Sequence, residues 1–232
     1  MTVWIISIIA AYFVGSIPFG VILGRLRGVD VRAHGSRNIG ATNVGRVLGR
    51  PWGITCFLLD MLKGATPVVG AGLAAGVFGR EPDPATGTAA WMWWWMAVAA
   101  AAIAGHMASP FLGFAGGKGV ATSFGAMLAM WPLLSMPALG AVCIWYAALR
   151  LFRVVSLASM LAAVSLPLWY AVRMIPNTGD DVGAKLLYAS PPLIATTLLA
   201  ALVIWRHRAN IGRLRRGEEP RIANRSTPEA GK

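Results

Sequence analysis

Between residues 105 and 122 the chain reads G-H-M-A-S-P-F-L-G-F-A-G-G-K-G-V-A-T. His106, Ser109, Gly113, Gly116, Gly117, Lys118 and Gly119 can all bind a small anion or bend the backbone around one. Glycine lets successive N–H groups converge on a phosphate, and lysine adds a mobile positive charge. The spacing is not that of a P-loop, since G-x-x-x-x-G-K-[ST] is absent and no strand precedes it. The plain alternative is a glycine-rich turn between helices whose lysine meets anionic headgroups.

Two further stretches carry the same chemistry. From His34 to Arg46 the chain reads H-G-S-R-N-I-G-A-T-N-V-G-R. Ser36, Asn38, Thr42 and Asn43 offer hydrogen bonds, and Arg46 can grip a phosphate or carboxylate in bidentate fashion. A solvated turn with Thr42 or Asn43 as helix N-cap is the alternative. From His207 to Glu219 it reads H-R-A-N-I-G-R-L-R-R-G-E-E. If helical, His207, Asn210 and Arg213 share one face at i, i+3 spacing. Arg206, Arg208, Arg215 and Arg216 serve equally well as anchors beside a span, but anchoring gives no reason for His207 and Asn210.

The segments that position these stretches are strongly apolar. Hydrophobic residues make up 56%, charged residues 13%, and mean hydropathy is +0.61. The sequence predicts an all-α integral membrane protein with seven transmembrane helices over 2–23, 52–78, 88–107, 120–134, 137–151, 155–174 and 188–205. The fourth and fifth are separated only by Trp131-Pro132 and Ser135-Met136-Pro137, so a re-entrant pair is the alternative there. The first apolar stretch lacks a basic n-region and a cleavage site, and reads as a retained span.

All 21 basic residues except Lys63, Arg80, Arg173 and Lys185 fall on one side of such a bundle. That side receives loops 24–51, 106–119 and 152–154, the segment 206–220 and a basic tail over 221–232. Glu81, Asp83, Asp180 and Asp181 stand on the other. The asymmetry places the N-terminus outside and the C-terminus in the cytoplasm. A net charge of +12 distributed in this way predicts no nucleic-acid partner. The histidines and most asparagines share the basic side (Asn177 is the exception), so function is expected there.

Other features read as structural. Asp60 and Lys63, at i, i+3 inside the second span, are expected to pair. Gly15-Ser16-Ile17-Pro18 predicts a kink. Trp91, Trp93, Trp94 and Trp95 read as an interfacial belt. Cys56 and Cys143, both within apolar segments, are expected to be inert buried thiols. Arg153 with Ser156 and Ser159 marks either a substrate contact or a helix start. No metal site is expected, because the histidines lack carboxylates at ligand spacing, and no cofactor is called for.

Taken together these pieces resemble the PlsY family, the bacterial acyl-phosphate:glycerol-3-phosphate acyltransferases. The matches are G-S-I-P-F-G at 15–20, G-S-R-N-I-G-A-T-N-V-G-R at 35–46, L-D-M-L-K-G at 59–64, the stretch 105–122, R-V-V-S-L-A-S-M at 153–160 and H-R-A-N-I-G-R-L-R-R-G-E-E at 207–219. They run in order over nearly the whole chain. The resemblance implies one domain over 1–232 in the bacterial inner membrane, working on its cytoplasmic side.

It implies transfer of an acyl group from acyl phosphate to the 1-hydroxyl of glycerol 3-phosphate, the first step of phospholipid biosynthesis. Its partners would be those two substrates and membrane lipid, and a monomer is compatible with it. Carried over by position, Ser36, Lys118, His207 and Asn210 are implied as catalytic. Asn38, Asn43, Arg46, His106, Gly117, Gly119, Ser156 and Glu219 are implied as substrate- or phosphate-binding. Acyl-CoA enzymes of another superfamily use H-x-x-x-x-D; five residues after the three histidines here stand Ile39, Phe111 and Gly212. Two departures from the family pattern are Ala115, where a basic residue is common, and Arg37, where glycine is common. One phosphate contact is then either missing or supplied by Arg37.

A transporter and a lipid-binding scaffold are the readings from other classes. A transporter predicts facing broken helices and polar groups at the midplane. Here the polar clusters gather at one interface.

Overall fold

A computed structural model describes residues 1–81, 89–174 and 182–222, with the side chains of 182–187 excepted. Asp83, Asp180, Asp181, Asn177 and the tail beyond residue 222 lie outside the described residues. Ten α-helices and one 3-10 turn are present among the described residues, and no strand.

Helices α1 (Thr2–Gly15) and α2 (Phe19–Leu26) form a single apolar run broken at Ser16-Ile17-Pro18. Proline cannot donate to the helical ladder, so carbonyls before it are freed. In lipid those carbonyls must find partners inside the protein. They do: Ser109 Oγ donates to Ser16 O and Lys63 Nζ donates to Ile17 O, both at 2.7 Å. The expected kink is therefore a built joint.

Helix α3 (Ala41–Leu48) starts after Gly40, not at Thr42 or Asn43. Helix α4 (Arg50–Ala74) follows at once, with Pro51 in its first turn where a missing N–H costs nothing. Helix α5 (Ala90–Met107) is central. More than half of its most apolar window, 56%, is buried, against 39% or less in the others. Close contacts set its neighbours. A Cβ at Gly15 would overlap the backbone of Ala102, and one at Gly105 would overlap Tyr12 O. Small residues thus bring α1 onto α5 backbone to backbone.

Helix α6 (Val120–Leu128) has nine residues, about 14 Å at 1.5 Å per residue, against a bilayer core of about 30 Å. Among the described residues six helical runs are long and apolar enough to cross a membrane, and the segment predicted at 120–134 is the one that falls short. Val120 lines the cavity described below, while Trp131 O accepts from Gly79 N–H beyond the far end of α4 at 2.9 Å. Helices α7 (Ser135–Phe152) and α8 (Val155–Met174) form a hairpin, its turn at the cavity end. At the far end Arg173 of α8 donates to Leu133 O at 3.2 Å and pairs with Glu81 at 2.6 Å. Helix α9 (Val182–Arg206) packs on α8 and leads into α10 (Arg208–Arg215).

Two structural expectations need correction. Trp95 is fully buried and donates to Val68 O at 2.9 Å, and Trp91 is half-buried beside it; only Trp93 is well exposed. Consecutive helical positions point in different directions, so a run of tryptophans cannot all face the interface, and the i, i+4 pair turns inward. Cys143 is exposed, not buried, because no helix among the described residues covers its side of α7; Cys56 is buried as expected.

Candidate active site

The three polar stretches meet at one end of the bundle, around a cavity of about 160 Å³. The 34–46 segment forms one wall. Asn43, 1% exposed, accepts from Ser36 N–H at 2.7 Å through Oδ1 and donates through Nδ2 to Val31 O at 2.9 Å and His34 O at 3.2 Å. Every polar atom of its side chain is thereby used in folding the loop. Asn38 Oδ1 accepts from Gly40 N–H at 2.9 Å, turning the chain into α3. Ser36, Asn38 and Arg46 line the cavity, and Arg46 has no ion-pair partner among the described residues.

The glycine loop forms the second wall. Gly117 N–H donates to His106 O at 3.2 Å, and Arg206 Nη2 donates to Gly116 O at 3.1 Å and Gly117 O at 2.6 Å. Gly119 takes φ +81°, a left-handed conformation that glycine adopts without strain, and this turn starts α6. Gly117 does not face the cavity. It sits behind the wall, where a Cβ would overlap Nε2 of His106. Lys118 and Gly119 do line it.

The third wall comes from α10 and the segment after it. Lys118 Nζ donates to Asn210 Oδ1 at 2.5 Å, and Asn210 Nδ2 donates to Glu219 Oε1 at 2.5 Å. Ser156 Oγ donates to the same carboxylate oxygen at 2.7 Å, and Arg213 Nε donates to Glu219 Oε2, also at 2.7 Å. Glu219 stays in reach because Ile222 N–H donates to Arg153 O at 2.8 Å, pinning the chain across the α7–α8 turn. Ser156 is thus a member of the network as well as part of a helix start.

The electrostatics follow from this crowding. Burial lowers the Lys118 ammonium to about 8, helped by Arg213, Arg46 and Arg206 and opposed by Glu219. Burial also lowers His207, with Lys118 adding to the effect, to about 4, so its ring is neutral at pH 7. Its Nδ1 lies 2.7 Å from Val203 O, which can only accept. Nδ1 therefore carries the hydrogen and Nε2 is left with its lone pair. Burial works against ionisation of Glu219, but hydrogen bonds from Asn210, Ser156 and Arg213 outweigh it and hold the carboxyl below its usual range.

Of the twelve site residues the sequence singled out, all but Gly117 line the cavity. Arg37 does not replace the basic residue absent at Ala115. It is exposed, outside the wall, and takes φ +58°, the conformation in which glycine is common. Arg213 is the further cation at the cavity. Phe57, Trp145 and Val155 give it an apolar component that sequence reasoning missed, because nothing in an apolar span marks which of its residues face a site. Asp60 also reaches the wall. As expected it pairs with Lys63, at 2.7 Å.

A cavity lined by cations and by aromatic and aliphatic groups, at the end of apolar helices, suits a molecule that is part phosphate and part lipid. Comparison with known proteins agrees. The family model described as Glycerol-3-phosphate acyltransferase matches residues 5–217. The chain belongs to this family. The glycerol-3-phosphate acyltransferase of Geobacter sulfurreducens is 43% identical over 216 residues, covering 91% of this chain and 94% of the relative. That of Synechococcus elongatus is 39% identical over 216 residues, covering 93% and 92%. A crystal structure of PlsY (YgiH), an integral membrane glycerol 3-phosphate acyltransferase, in its glycerol 3-phosphate form, superposes with a TM-score of 0.78 at 36% identity. It covers 95% of this chain and 96% of the other. Its lysophosphatidic acid form gives 0.76, again at 36% identity. The chain is accordingly a membrane-bound glycerol-3-phosphate acyltransferase that serves phospholipid biosynthesis.

Proposed function

We propose that the chain transfers a fatty acyl group from acyl phosphate to the 1-hydroxyl of glycerol 3-phosphate. The products are 1-acylglycerol 3-phosphate and phosphate, and the step is the first of phospholipid biosynthesis. The observation that carries this is the mixed lining of the cavity, in which Lys118, Arg46 and Arg213 share the wall with Phe57, Trp145 and Val155. The similar PlsY structures, solved in glycerol 3-phosphate and lysophosphatidic acid forms, support the same acceptor and product here.

Acyl phosphate is a mixed anhydride with a good leaving group, so positioning and charge stabilisation supply most of the catalysis. Lys118 and Arg46 neutralise the phosphates, and Ser36 and Asn38 orient them. The neutral Nε2 of His207 accepts a hydrogen bond from the glycerol hydroxyl and aims its oxygen at the acyl carbon. That oxygen forms the new ester bond, the bond from the acyl carbon to the phosphate oxygen breaks, and the departing phosphate takes the proton. No side chain needs to carry the acyl group. Asn210 and Glu219 hold Lys118 in place, and Asn43 holds Ser36.

The whole chain then acts as one membrane domain in the bacterial inner membrane, with seven crossings, an outer N-terminus and the cavity facing the cytoplasm. The passage of 120–134 from Val120 at the cavity to Trp131 beside Gly79 supports the seventh crossing. Thr2→Cys and Arg221→Cys variants in spheroplasts test the orientation. A membrane-impermeant maleimide should label the first and spare the second, and equal labelling refutes seven crossings.

Purified protein given acyl phosphate and glycerol 3-phosphate should release phosphate, and the same protein given acyl-CoA should release no thiol. Lys118→Ala should abolish release in the first reaction. A scaffold or transporter would be silent in both, and acyl carried covalently on the protein during turnover would refute direct attack.

A further inference from the structure

Asp60 and Lys63 lie in the second span, and an ion pair alone would satisfy both. Yet the carboxylate has a third neighbour. Asp60 Oδ1 is 3.7 Å from Nδ1 of His106, and all three residues are nearly inaccessible, at 2%, 3% and 4% exposure. Lys63 Nζ, 2.7 Å from the same carboxylate oxygen, is itself tied to Ile17 O at the α1–α2 joint. Neither His106 Nδ1 nor Asp60 Oδ1 has a well-directed hydrogen bond among the described residues, and 3.7 Å is a small movement beyond one. Asp60 and His106 both form part of the cavity wall.

The opposite edge of the His106 ring meets the glycine loop, at the point where Gly117 leaves no room for a Cβ. His106 O accepts from Gly117 N–H, while Arg206 grips the carbonyls of Gly116 and Gly117. The loop is therefore held between the histidine and Arg206, one residue before Lys118. The ring is the spacer on one side, and Asp60 is the charged group facing the ring's other edge.

We infer that Asp60 and His106 form a positioning pair that fixes the height of the glycine loop and so the place of the Lys118 ammonium. The inference rests on the proposed role of Lys118 as a phosphate holder. Asp60 acts through His106, and His106 through the backbone of Gly117; neither needs to touch substrate. Lys63 compensates the carboxylate in an apolar span, where an unpaired charge would be costly.

Removing Asp60 alone would leave Lys63 as an uncompensated buried charge. The test is therefore Asp60→Asn combined with Lys63→Met, which deletes both charges, and separately His106→Phe, which keeps the spacer's bulk but no nitrogen. Each is measured for affinity towards inorganic phosphate and for kcat/KM, in the native background and with Lys118→Ala. Phosphate affinity and kcat/KM should fall about tenfold or more in the native background. With Lys118 absent the same changes should cost almost nothing further, because their effect passes through that residue.

Equal losses in both backgrounds would mean a general structural role and overturn the inference, as would full phosphate affinity in His106→Phe. Phosphate binding is read without turnover. A native protein that binds phosphate but fails to transfer from acyl phosphate would refute the donor assignment, and the pair would still be judged by the binding arm.

Discussion

Lys118 and Asn210 stand 92 positions apart in sequence, and the ammonium of one donates to the amide oxygen of the other at 2.5 Å. The contact joins the glycine loop to the last helix. The same amide donates to Glu219, which fixes which end of Asn210 faces the lysine. One carboxylate thus orients an amide, and the amide aims a cation.

Asn210→Ala should break that chain at its centre. Lys118 loses its anchor and Glu219 loses one of its compensating donors. A fall in kcat/KM of about a hundredfold is expected, the scale of losing one directed electrostatic partner. Phosphate release measures it, and thermal unfolding in detergent should show a much smaller change.

The lowered Lys118 sets an upper pH limit. Below about 8 the ammonium is charged and can hold phosphate; as pH rises through about 8 the free enzyme loses that charge. KM for glycerol 3-phosphate should therefore climb above pH 8. A lower limb near pH 6 belongs to the substrate phosphate itself. Lys118→Arg should abolish the upper limb, since guanidinium stays charged. A limb that survives the arginine variant would assign it to another group.

His207 is held neutral, with its Nδ1 hydrogen committed to Val203. His207→Asn places an amide near the Nδ1 position and removes Nε2, so folding should survive while kcat falls by about 100-fold to 1,000-fold. His207→Gln returns a polar group near the Nε2 position and should recover part of the rate. Steady-state kcat on the two variants distinguishes loss of Nε2 from loss of the Val203 bond.

Gly64 tests the packing under the site. A Cβ there would overlap Thr122 O, a backbone atom of α6 that has nowhere to go. Gly64→Ala should destabilise the protein by about 1–3 kcal/mol through overpacking, read as a lowered midpoint in thermal unfolding.

Much of the site was legible because its residues contradict their surroundings. His106, Lys118 and Asn210 stand out at the ends of apolar runs, where lipid gives no reason to keep them. Asp60 stood out as well, but pairing with Lys63 seemed to account for it. That His106 reaches the same carboxylate depends on how α4 and α5 lie together, which periodicity does not encode. Arg37 and Arg213 show the same limit: both are basic residues in polar stretches, and only the backbone decides which one meets the cavity. Gly117 was legible as a loop residue, yet its closeness to the His106 ring is a matter of packing. The 120–134 segment misleads in another way. Its hydropathy suggests a helical span, while only nine residues of it are helical and the remainder is turn.

The bond from Ile222 to Arg153 has a consequence for biogenesis. The cavity wall runs from Ser36 to Glu219, so its final piece leaves the ribosome after all the candidate spans. Until that piece docks on the α7–α8 turn, Asn210 has no carboxylate partner and Lys118 no oriented amide. A chain whose segment 219–222 has not yet docked therefore has its spans in place and its cavity wall incomplete.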